Sequence, residues 1–375
     1  FFFFLAIVMR AFLKRHEGEF FKKLCVYAGI SVVIVLGAFI VLLPWWPFAH
    51  PNPVGTIIHT LTRVASYPWN GPVLLNGHVY PSTALPWYYL PEMLAITAPL
   101  FLVVLGVLGV AVGLTSAVRK MRTLKYLTPY RLSVFFVGFA MFLPVAAVIV
   151  KHATLYDGIR HFLFILGPWA ILAALTLEKI FQTIEKEAKT KQAKRSPLAK
   201  AAPTAFYALV ALCAAAVVIQ QVRLHPYQYI FYNSLAGGPA GACVNFETDY
   251  WGTSHREAVE LLAAHLEKAG DEKVYKVTSP MAPWLVENFL PRNMVYTTDP
   301  RQADFFVSFL RFNAHMWSDG EVMNDCIVQR EGVPLAIVRD RRAIVKNQIE
   351  AAQKGQPTSL GDTFISSVLE LLPAF

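Results

Sequence analysis

The chain has 375 residues, of which 55% are hydrophobic and only 16% are charged. A soluble domain carries about a quarter charged residues, so this composition excludes an ordinary soluble protein and favours a membrane protein. The net charge of +9 does not indicate a nucleic-acid partner. The basic excess lies in short connections between apolar runs, and acidic residues outnumber basic ones after Arg223.

Five apolar runs are long enough to cross a membrane as helices, which takes roughly 20 residues. They are residues 24–43, 94–116, 132–150, 162–180 and 204–222. Residues 1–9 are apolar but too short to cross, and no basic segment or cleavage site marks them as a signal peptide. We expect them to be the end of a severed helix, so that this sequence is the C-terminal part of a longer protein.

The connections between these runs alternate in charge. Lys and Arg concentrate in the connections that follow residues 1–9, the second run and the fourth run. Basic connections lie in the cytoplasm of most membrane proteins. We therefore predict a transmembrane region over 1–222 with an outer loop at 45–92, an outer linker at 223–252 and an extracytoplasmic α/β domain over 253–375.

The outer loop has an amphipathic part and a proline-rich part. Apolar residues recur at helical spacing over 54–64, which predicts a helix that lies in the membrane surface or packs on the protein. Proline interrupts helices and sheet ladders, so we predict an irregular, lid-like loop over 67–92. A single aromatic residue there is more often an interfacial anchor. Four side chains are candidates for lining a cavity: His78, Trp87, Tyr88 and Tyr89.

A charged cluster lies in the short connection between the third and fourth runs. On a helical turn, one face could carry the side chains of Tyr156, Asp157, Arg160 and His161. Charges at the edge of a bilayer are costly unless they pair, reach water or hold a ligand. Arginine offers a rigid fork of donors to phosphate, and histidine adds another donor. An ion pair between Asp157 and Arg160 that only seats a turn fits the pattern equally well.

After Arg223 the pattern is that of a small α/β domain. Ser254 and Glu257 have the spacing of a capping box for a helix that ends at Gly270. A helical piece at 282–290 and several short β-rich runs follow. These runs are 274–277, 293–297, 304–310, 327–330 and 335–339.

Polar residues near this domain give weaker signals. Glu247 and Asp249 alternate in the segment 246–252, which we predict to be mainly structural, with contact to an acceptor molecule as the alternative. Cys243 and Cys326 fall outside the apolar runs, so a disulfide is open to them in an oxidising compartment. Lone histidines such as His265 are expected to be structural, and no motif with metal-ligand spacing is present, so we expect no metal.

Four motifs, in chain order, carry a family resemblance. They are Leu-Pro-Trp-Tyr-Tyr-Leu-Pro at 85–91, Thr-Leu-Tyr-Asp-Gly-Ile-Arg-His-Phe at 154–162, His-Pro-Tyr at 225–227 and Phe-Glu-Thr-Asp-Tyr-Trp-Gly at 246–252. Together they resemble bacterial phospholipid-carrier-dependent glycosyltransferases of the GT-C type, relatives of protein O-mannosyltransferases and the aminoarabinose transferase. The resemblance implies a polytopic α-helical protein of the bacterial inner membrane. It also implies transfer of a sugar from polyprenyl phosphate to a lipid, glycan or protein acceptor.

The resemblance also implies roles for the charged cluster. Arg160 and His161 would bind the lipid phosphate with Tyr156 as a third donor, and Asp157 would orient one of them. Such enzymes usually hold the catalytic carboxylate in a first outer loop that these residues do not include, so the base is unassigned, and no cofactor is needed. The alternative is a non-catalytic membrane protein whose outer α/β domain binds a partner or an envelope polymer.

The charge alternation predicts five crossings, with the C-terminal domain outside the cytoplasm. In a chain whose native cysteines are replaced, Lys268→Cys should react with an impermeant thiol reagent added to intact cells. Lys191→Cys should react only after the membrane is opened. Labelling of Lys268→Cys only after the membrane is opened would contradict this topology.

Overall fold

The computed structural model describes residues 20–65, 69–120, 129–190, 196–270 and 273–354. The predicted severed helix and the tail after residue 354 lie outside these ranges. The chain divides into two compact units. Unit 1 is Phe1–Pro68, Phe101–Thr154 and Ile159–Phe206, and unit 2 is Trp69–Leu100, Leu155–Gly158 and Tyr207–Phe375.

The described helices and strands follow one another in this order. The α-helices are α1 (Phe20–Leu42), α2 (Pro53–Ala65), α3 (Tyr89–Thr97), α4 (Leu100–Lys120), α5 (Pro129–Lys151), α6 (Leu166–Ala188), α7 (Pro197–Arg223), α8 (Gly238–Ala242), α9 (His255–Lys268), α10 (Trp284–Glu287) and α11 (Arg342–Gln353). The strands are β1 (Pro72–Leu75), β2 (His78–Pro81), β3 (Tyr275–Thr278), β4 (Met294–Tyr296), β5 (Phe305–Phe309), β6 (Glu321–Val322), β7 (Val328–Arg330) and β8 (Val333–Asp340).

Within the described ranges, four helical segments are long and apolar enough to cross a membrane. They are Cys25–Trp45, Ser133–Lys151, Arg160–Ala188 and Pro197–Arg223. Each coincides with a run that the sequence predicted as a span. This content is consistent with an integral membrane protein, and it accompanies a mixed α/β region near the C-terminus. The amphipathic helix expected at 54–64 is also confirmed, as α2.

The predicted span 94–116 is interrupted near its start. Helix α3 ends at Thr97, Ala98 is extended (φ −91°, ψ 151°), and α4 begins at Leu100. Pro99 explains the break, because proline lacks an N–H and forces the residue before it out of the helical region. The helix that follows, α4, has 21 residues and is apolar over Leu100–Gly113. A fifth crossing therefore stays a prediction.

The predicted irregular loop 67–92 contains a β-hairpin instead. Strands β1 and β2 pair antiparallel around Asn76 and Gly77, whose φ angles are 52° and 75°. Two positive φ values are what a tight type I′ hairpin turn requires, and Asn-Gly is its commonest sequence. Pro72 and Pro81 face each other at the open end of the hairpin, where they interrupt little of the ladder.

The C-terminal part of unit 2 is a six-stranded mixed sheet with the order β4-β3-β5-β8-β6, and β7 also pairs with β8. Strand β3 runs parallel to β4 and β5, whereas β8 is antiparallel to all its partners. The five predicted strands are all present, and β6 was not predicted. Side chains of α9 join the core of the sheet; fully buried members include Leu262, Leu266, Val277, Phe305 and Val307.

The predicted capping box at the start of α9 was wrong, although the helix begins and ends where expected. The Ser254 hydroxyl donates to Asp249 and does not cap the helix. Glu257 instead forms an ion pair with Arg330 (2.7 Å) and accepts a hydrogen bond from Tyr227 (2.7 Å). Ser254 and Glu257 therefore bind other side chains in place of the capping-box hydrogen bonds that their spacing predicted.

Cys243 and Cys326 are free thiols in the structure. Cys243 Sγ donates to the carbonyl oxygen of Ala240 at 3.1 Å. Cys326 is fully buried in the core of the α/β sheet, and burial raises the pKa of its thiol to about 12. The disulfide that the sequence left open is therefore not formed.

Helices α4 and α6 pack closely in unit 1 because α4 carries glycine at the contact. Trp169 is buried and donates its Nε1–H to the carbonyl oxygen of Leu102 at 3.1 Å. A Cβ atom on Gly106 would lie 1.9 Å from that nitrogen, and one on Gly109 would lie 2.3 Å from Thr176 Oγ1. Small residues at such positions let helix backbones approach each other.

This packing predicts that Gly106→Ala destabilises the chain while Gly113→Ala on the same helix does not. The new methyl group at residue 106 must displace buried Trp169, and overpacking of this kind costs about 1–3 kcal/mol. A Cβ at Gly113 meets open space. Both substitutions gain the same helix propensity. Equal unfolding midpoints for the two variants in detergent micelles would contradict the packing.

Candidate functional site

The turn at residues 156–158 sends the Asp157 side chain into the interior of unit 2. Asp157 and Gly158 both adopt left-handed backbone conformations, with φ of 55° and 66°. Aspartate is one of the few residues besides glycine that tolerate this region. Asp157 is only 4% exposed. A carboxylate this deeply buried needs a partner inside the protein.

That partner is Arg311, which also reaches Glu247. Arg311 Nη2 forms ion pairs with Asp157 Oδ1 and, at 3.2 Å, with Glu247 Oε2. Its Nη1 donates to the carbonyl oxygen of Tyr250 at 3.0 Å. The three charged side chains are no more than 10% exposed. We call Asp157, Glu247 and Arg311 the Arg311 cluster; in it, one buried cation serves two buried carboxylates.

Burial changes the ionisation of Glu247. Burial and the nearby Asp157 charge raise the pKa of Glu247 to about 7, although Arg311 opposes the shift. Glu247 Oε2 is within ion-pair distance of Arg311, yet it receives no hydrogen bond within the described part of the chain. Distance without alignment gives a weaker interaction than a directed hydrogen bond. The Glu247 carboxyl therefore changes its protonation state near neutral pH.

Backbone strain accumulates around the Arg311 cluster. Phe312 and Asn313, which follow Arg311, have φ of 58° and 54°. The guanidinium carbon lies 4.4 Å from the Phe312 ring centroid and 6.0 Å from that of Trp69. Non-glycine residues in this region each cost on the order of 1–3 kcal/mol, and such strain concentrates at functional sites.

Aromatic side chains of unit 2 hold the turn that carries Asp157. The Gly158 N–H donates to the Tyr89 hydroxyl at 3.1 Å, and Trp69 packs against Tyr156 with ring centroids 4.2 Å apart. Burial raises the pKa of Tyr89, so its phenol stays neutral. Tyr89 belongs to α3 and Trp69 precedes the hairpin. The proline-rich segment therefore contacts the turn through residues from both of its ends.

The other residues predicted to line a cavity have different surroundings. Trp87 is 67% exposed and meets Tyr88 edge-on at a centroid distance of 5.9 Å. His78 is exposed on β2. Of the four candidates only Tyr89 is buried. The cavity itself stays a prediction.

Asp249 is surrounded by donors of unit 2. Its Oδ1 accepts hydrogen bonds from the Tyr229 hydroxyl and from Thr253 N at 3.2 Å. Its Oδ2 accepts from the hydroxyl and, at 3.1 Å, the backbone N–H of Ser254. A carboxylate beside the first turn of α9 favours that helix end through the helix dipole, but the N–H groups it accepts from belong to Thr253 and Ser254, before the helix, so it does not replace the predicted cap. Glu247, two residues earlier, serves the Arg311 cluster.

In unit 1, Arg160 and His161 begin a 3-10 helical segment, Arg160–Ile165, that leads into α6. Arg160 Nε donates to His161 Nε2 at 3.2 Å, which requires a neutral imidazole with its proton on Nδ1. The predicted helical face over 156–161 was wrong, because the left-handed residues Asp157 and Gly158 interrupt it.

Sequence reasoning missed Arg311 altogether. Strand β5 ends at Phe309, so a charged residue comes almost directly after a fully buried strand. That position was the only local signal. Its partner Asp157 lies 154 positions earlier in the chain, a separation that no spacing rule can link.

Comparisons with family models, curated proteins and solved structures return no match to this chain. The function therefore has to be argued from the residues and their geometry.

The raised pKa of Glu247 predicts a pH dependence of stability. In the folded chain the pKa of Glu247 is about 7, whereas in the unfolded chain it is about 4.5. The folded state therefore binds this proton more tightly, and the free energy of unfolding decreases as the pH rises from 4.5 to 7. The contribution of Glu247 should fall by about 3 kcal/mol between pH 4.5 and pH 8. Glu247→Gln should remove this loss and be the more stable protein at pH 8.

The control is Glu267→Gln, which makes the same charge change at an exposed residue outside the Arg311 cluster. Equilibrium unfolding of detergent-solubilised wild type and both variants at several pH values measures the difference. If the pH dependence of Glu247→Gln matched that of wild type, the assigned ionisation would be wrong.

Proposed function

We propose that the chain belongs to a GT-C-like glycosyltransferase of the bacterial inner membrane. It would move a sugar from polyprenyl phosphate to an acceptor lipid, glycan or protein on the outer face, where the α/β part of unit 2 would also lie. Four long apolar helices, a C-terminal mixed sheet and the order of the four motifs support this proposal.

The observation that carries the proposal is the position of Arg160 and His161. They form a hydrogen-bonded pair at the first turn of the apolar segment Arg160–Ala188. If that segment crosses the bilayer, its first turn lies at the depth of lipid phosphates. His161 is exposed and Arg160 is half-buried. A guanidinium fork beside an imidazole offers a phosphate several directed donors and a fixed positive charge.

In the proposed reaction the acceptor oxygen bonds to the anomeric carbon while the bond from that carbon to the phosphate oxygen breaks. The acceptor proton passes to a base, and polyprenyl phosphate leaves with its negative charge. Arg160 stabilises the departing phosphate, and His161 donates a further hydrogen bond. Asp157 pairs with Arg311. We therefore assign it a positioning role, in which it anchors the turn that precedes Arg160 in the chain.

In proteoliposomes that carry the full-length protein, Arg160→Ala is expected to abolish transfer from a polyprenyl-phosphate sugar. Loss of one charged contact to a developing anion costs about 3–4 kcal/mol, or roughly 10²–10³ in rate. Arg160→Lys should recover only part of the rate, because lysine keeps the charge but lacks the planar fork. Radiolabelled sugar in the acceptor fraction measures the transfer.

Lys151→Ala is the matched control, since Lys151 is an exposed basic residue at the end of α5, just before the connection that carries Arg160. It should retain transfer within a few-fold of wild type. Wild-type transfer by Arg160→Ala would refute the phosphate site. If the wild-type protein bound the lipid-linked sugar or an envelope polymer without transferring the sugar, the result would favour the alternative, a non-catalytic membrane protein.

A further inference from the structure

We propose that His265, Asp325 and Cys326 form a zinc-binding site on the α/β part of unit 2. Their potential ligand atoms, one from each side chain, all lie within 4.8 Å of one another. His265 belongs to the last turn of α9, and the other two end the 3-10 segment Asn324–Cys326. Two elements that are distant in sequence therefore bring an imidazole, a carboxylate and a thiol to one point. Zinc in proteins is bound by these three kinds of donor.

The donor geometry is close to what zinc needs. Ligand atoms about 2.0–2.3 Å from a tetrahedral zinc lie roughly 3.3–3.6 Å apart. Cys326 Sγ is 3.9 Å from Asp325 Oδ1, and His265 Nδ1 is hydrogen-bonded to the other oxygen of Asp325. Side-chain rotations alone could therefore open the pair formed by His265 and Asp325 around an ion.

The three side chains differ in exposure in a way that suits a surface metal. Cys326 is fully buried and approaches from the core, whereas the Asp325 side chain is 62% exposed and that of His265 is 34% exposed. The ion would enter from solvent, and a water molecule would complete the fourth position. A buried cysteine alone is usually a small apolar side chain. Here its thiol has two further metal-ligating groups beside it.

The charges balance when zinc binds. Zinc displaces the thiol proton, so the ion's two positive charges meet one thiolate and one carboxylate, and one proton is released to water. Asp340 interacts with His265 and favours a cation, whereas Lys268 interacts with Asp325 and opposes one. The site differs from the sequence expectation for His265, which was a structural role without a metal.

Cobalt is the most informative probe, because a Co²⁺–thiolate bond gives a charge-transfer absorption that oxygen and nitrogen ligands alone do not. The whole chain in detergent, reduced and stripped of metal, is titrated with Co²⁺ and then with Zn²⁺. Wild type should develop the charge-transfer band together with the visible bands of a four-coordinate ion. Zinc should then abolish both, because it replaces cobalt in such sites.

Cys326→Ser should lose the charge-transfer band, and the control Cys243→Ser, which removes another free thiol of unit 2, should keep it. Asp325→Asn changes a mostly exposed residue, so it should fold normally and weaken zinc binding by at least about tenfold. This variant decides the question if Cys326→Ser does not fold. Absence of the band in wild type, its survival in Cys326→Ser, or unchanged zinc affinity in Asp325→Asn would overturn the site.

Discussion

A buried carboxylate must be neutralised or paired, and the Arg311 cluster is how unit 2 meets that requirement. Asp157 comes from a turn beside the apolar helices in sequence, Glu247 from the linker, and Arg311 from the end of a strand in the α/β sheet. Removing one partner of a buried ion pair costs about 3–5 kcal/mol, because it leaves a charge without compensation. For the pair of Asp157 and Arg311, a requirement of this size can hold together a turn and a strand end that lie far apart in the chain.

Other features of unit 2 follow from this requirement. The Asp157 carboxylate points inward from a turn with left-handed conformations at Asp157 and Gly158, and the Tyr89 hydroxyl holds that turn through Gly158. The hairpin extends toward the linker through a bridge between Leu75 and Phe246, next to Glu247. Strain at Phe312 is offset by the stacking of its ring on the Arg311 guanidinium. One consequence of burying two carboxylates beside one cation is that the Glu247 carboxyl keeps a proton near neutral pH.

The sequence predicted most of what depends on local pattern. Four apolar spans, helix α9 with its end at Gly270 and the main strands of the sheet all follow from periodicity and turn residues. The break at Pro99 and the Asn76-Gly77 turn were also readable, because both are properties of adjacent residues. The Arg311 cluster and the displaced cap at Ser254 were not, since each depends on partners that only the folded chain brings together. The candidate residues Asp157 and Glu247 were identified, but their common partner was not.

The most direct measurement of the central claim is a double-mutant cycle between Asp157→Asn and Arg311→Gln, with the free energy of unfolding as the readout. Each single variant should lose several kcal/mol, because it leaves a buried charge without its partner. If the two side chains stabilise unit 2 as a pair, the double variant should lose clearly less than the sum of the single losses, by about 1–3 kcal/mol. Strictly additive losses would show that the two residues act independently and would contradict the account.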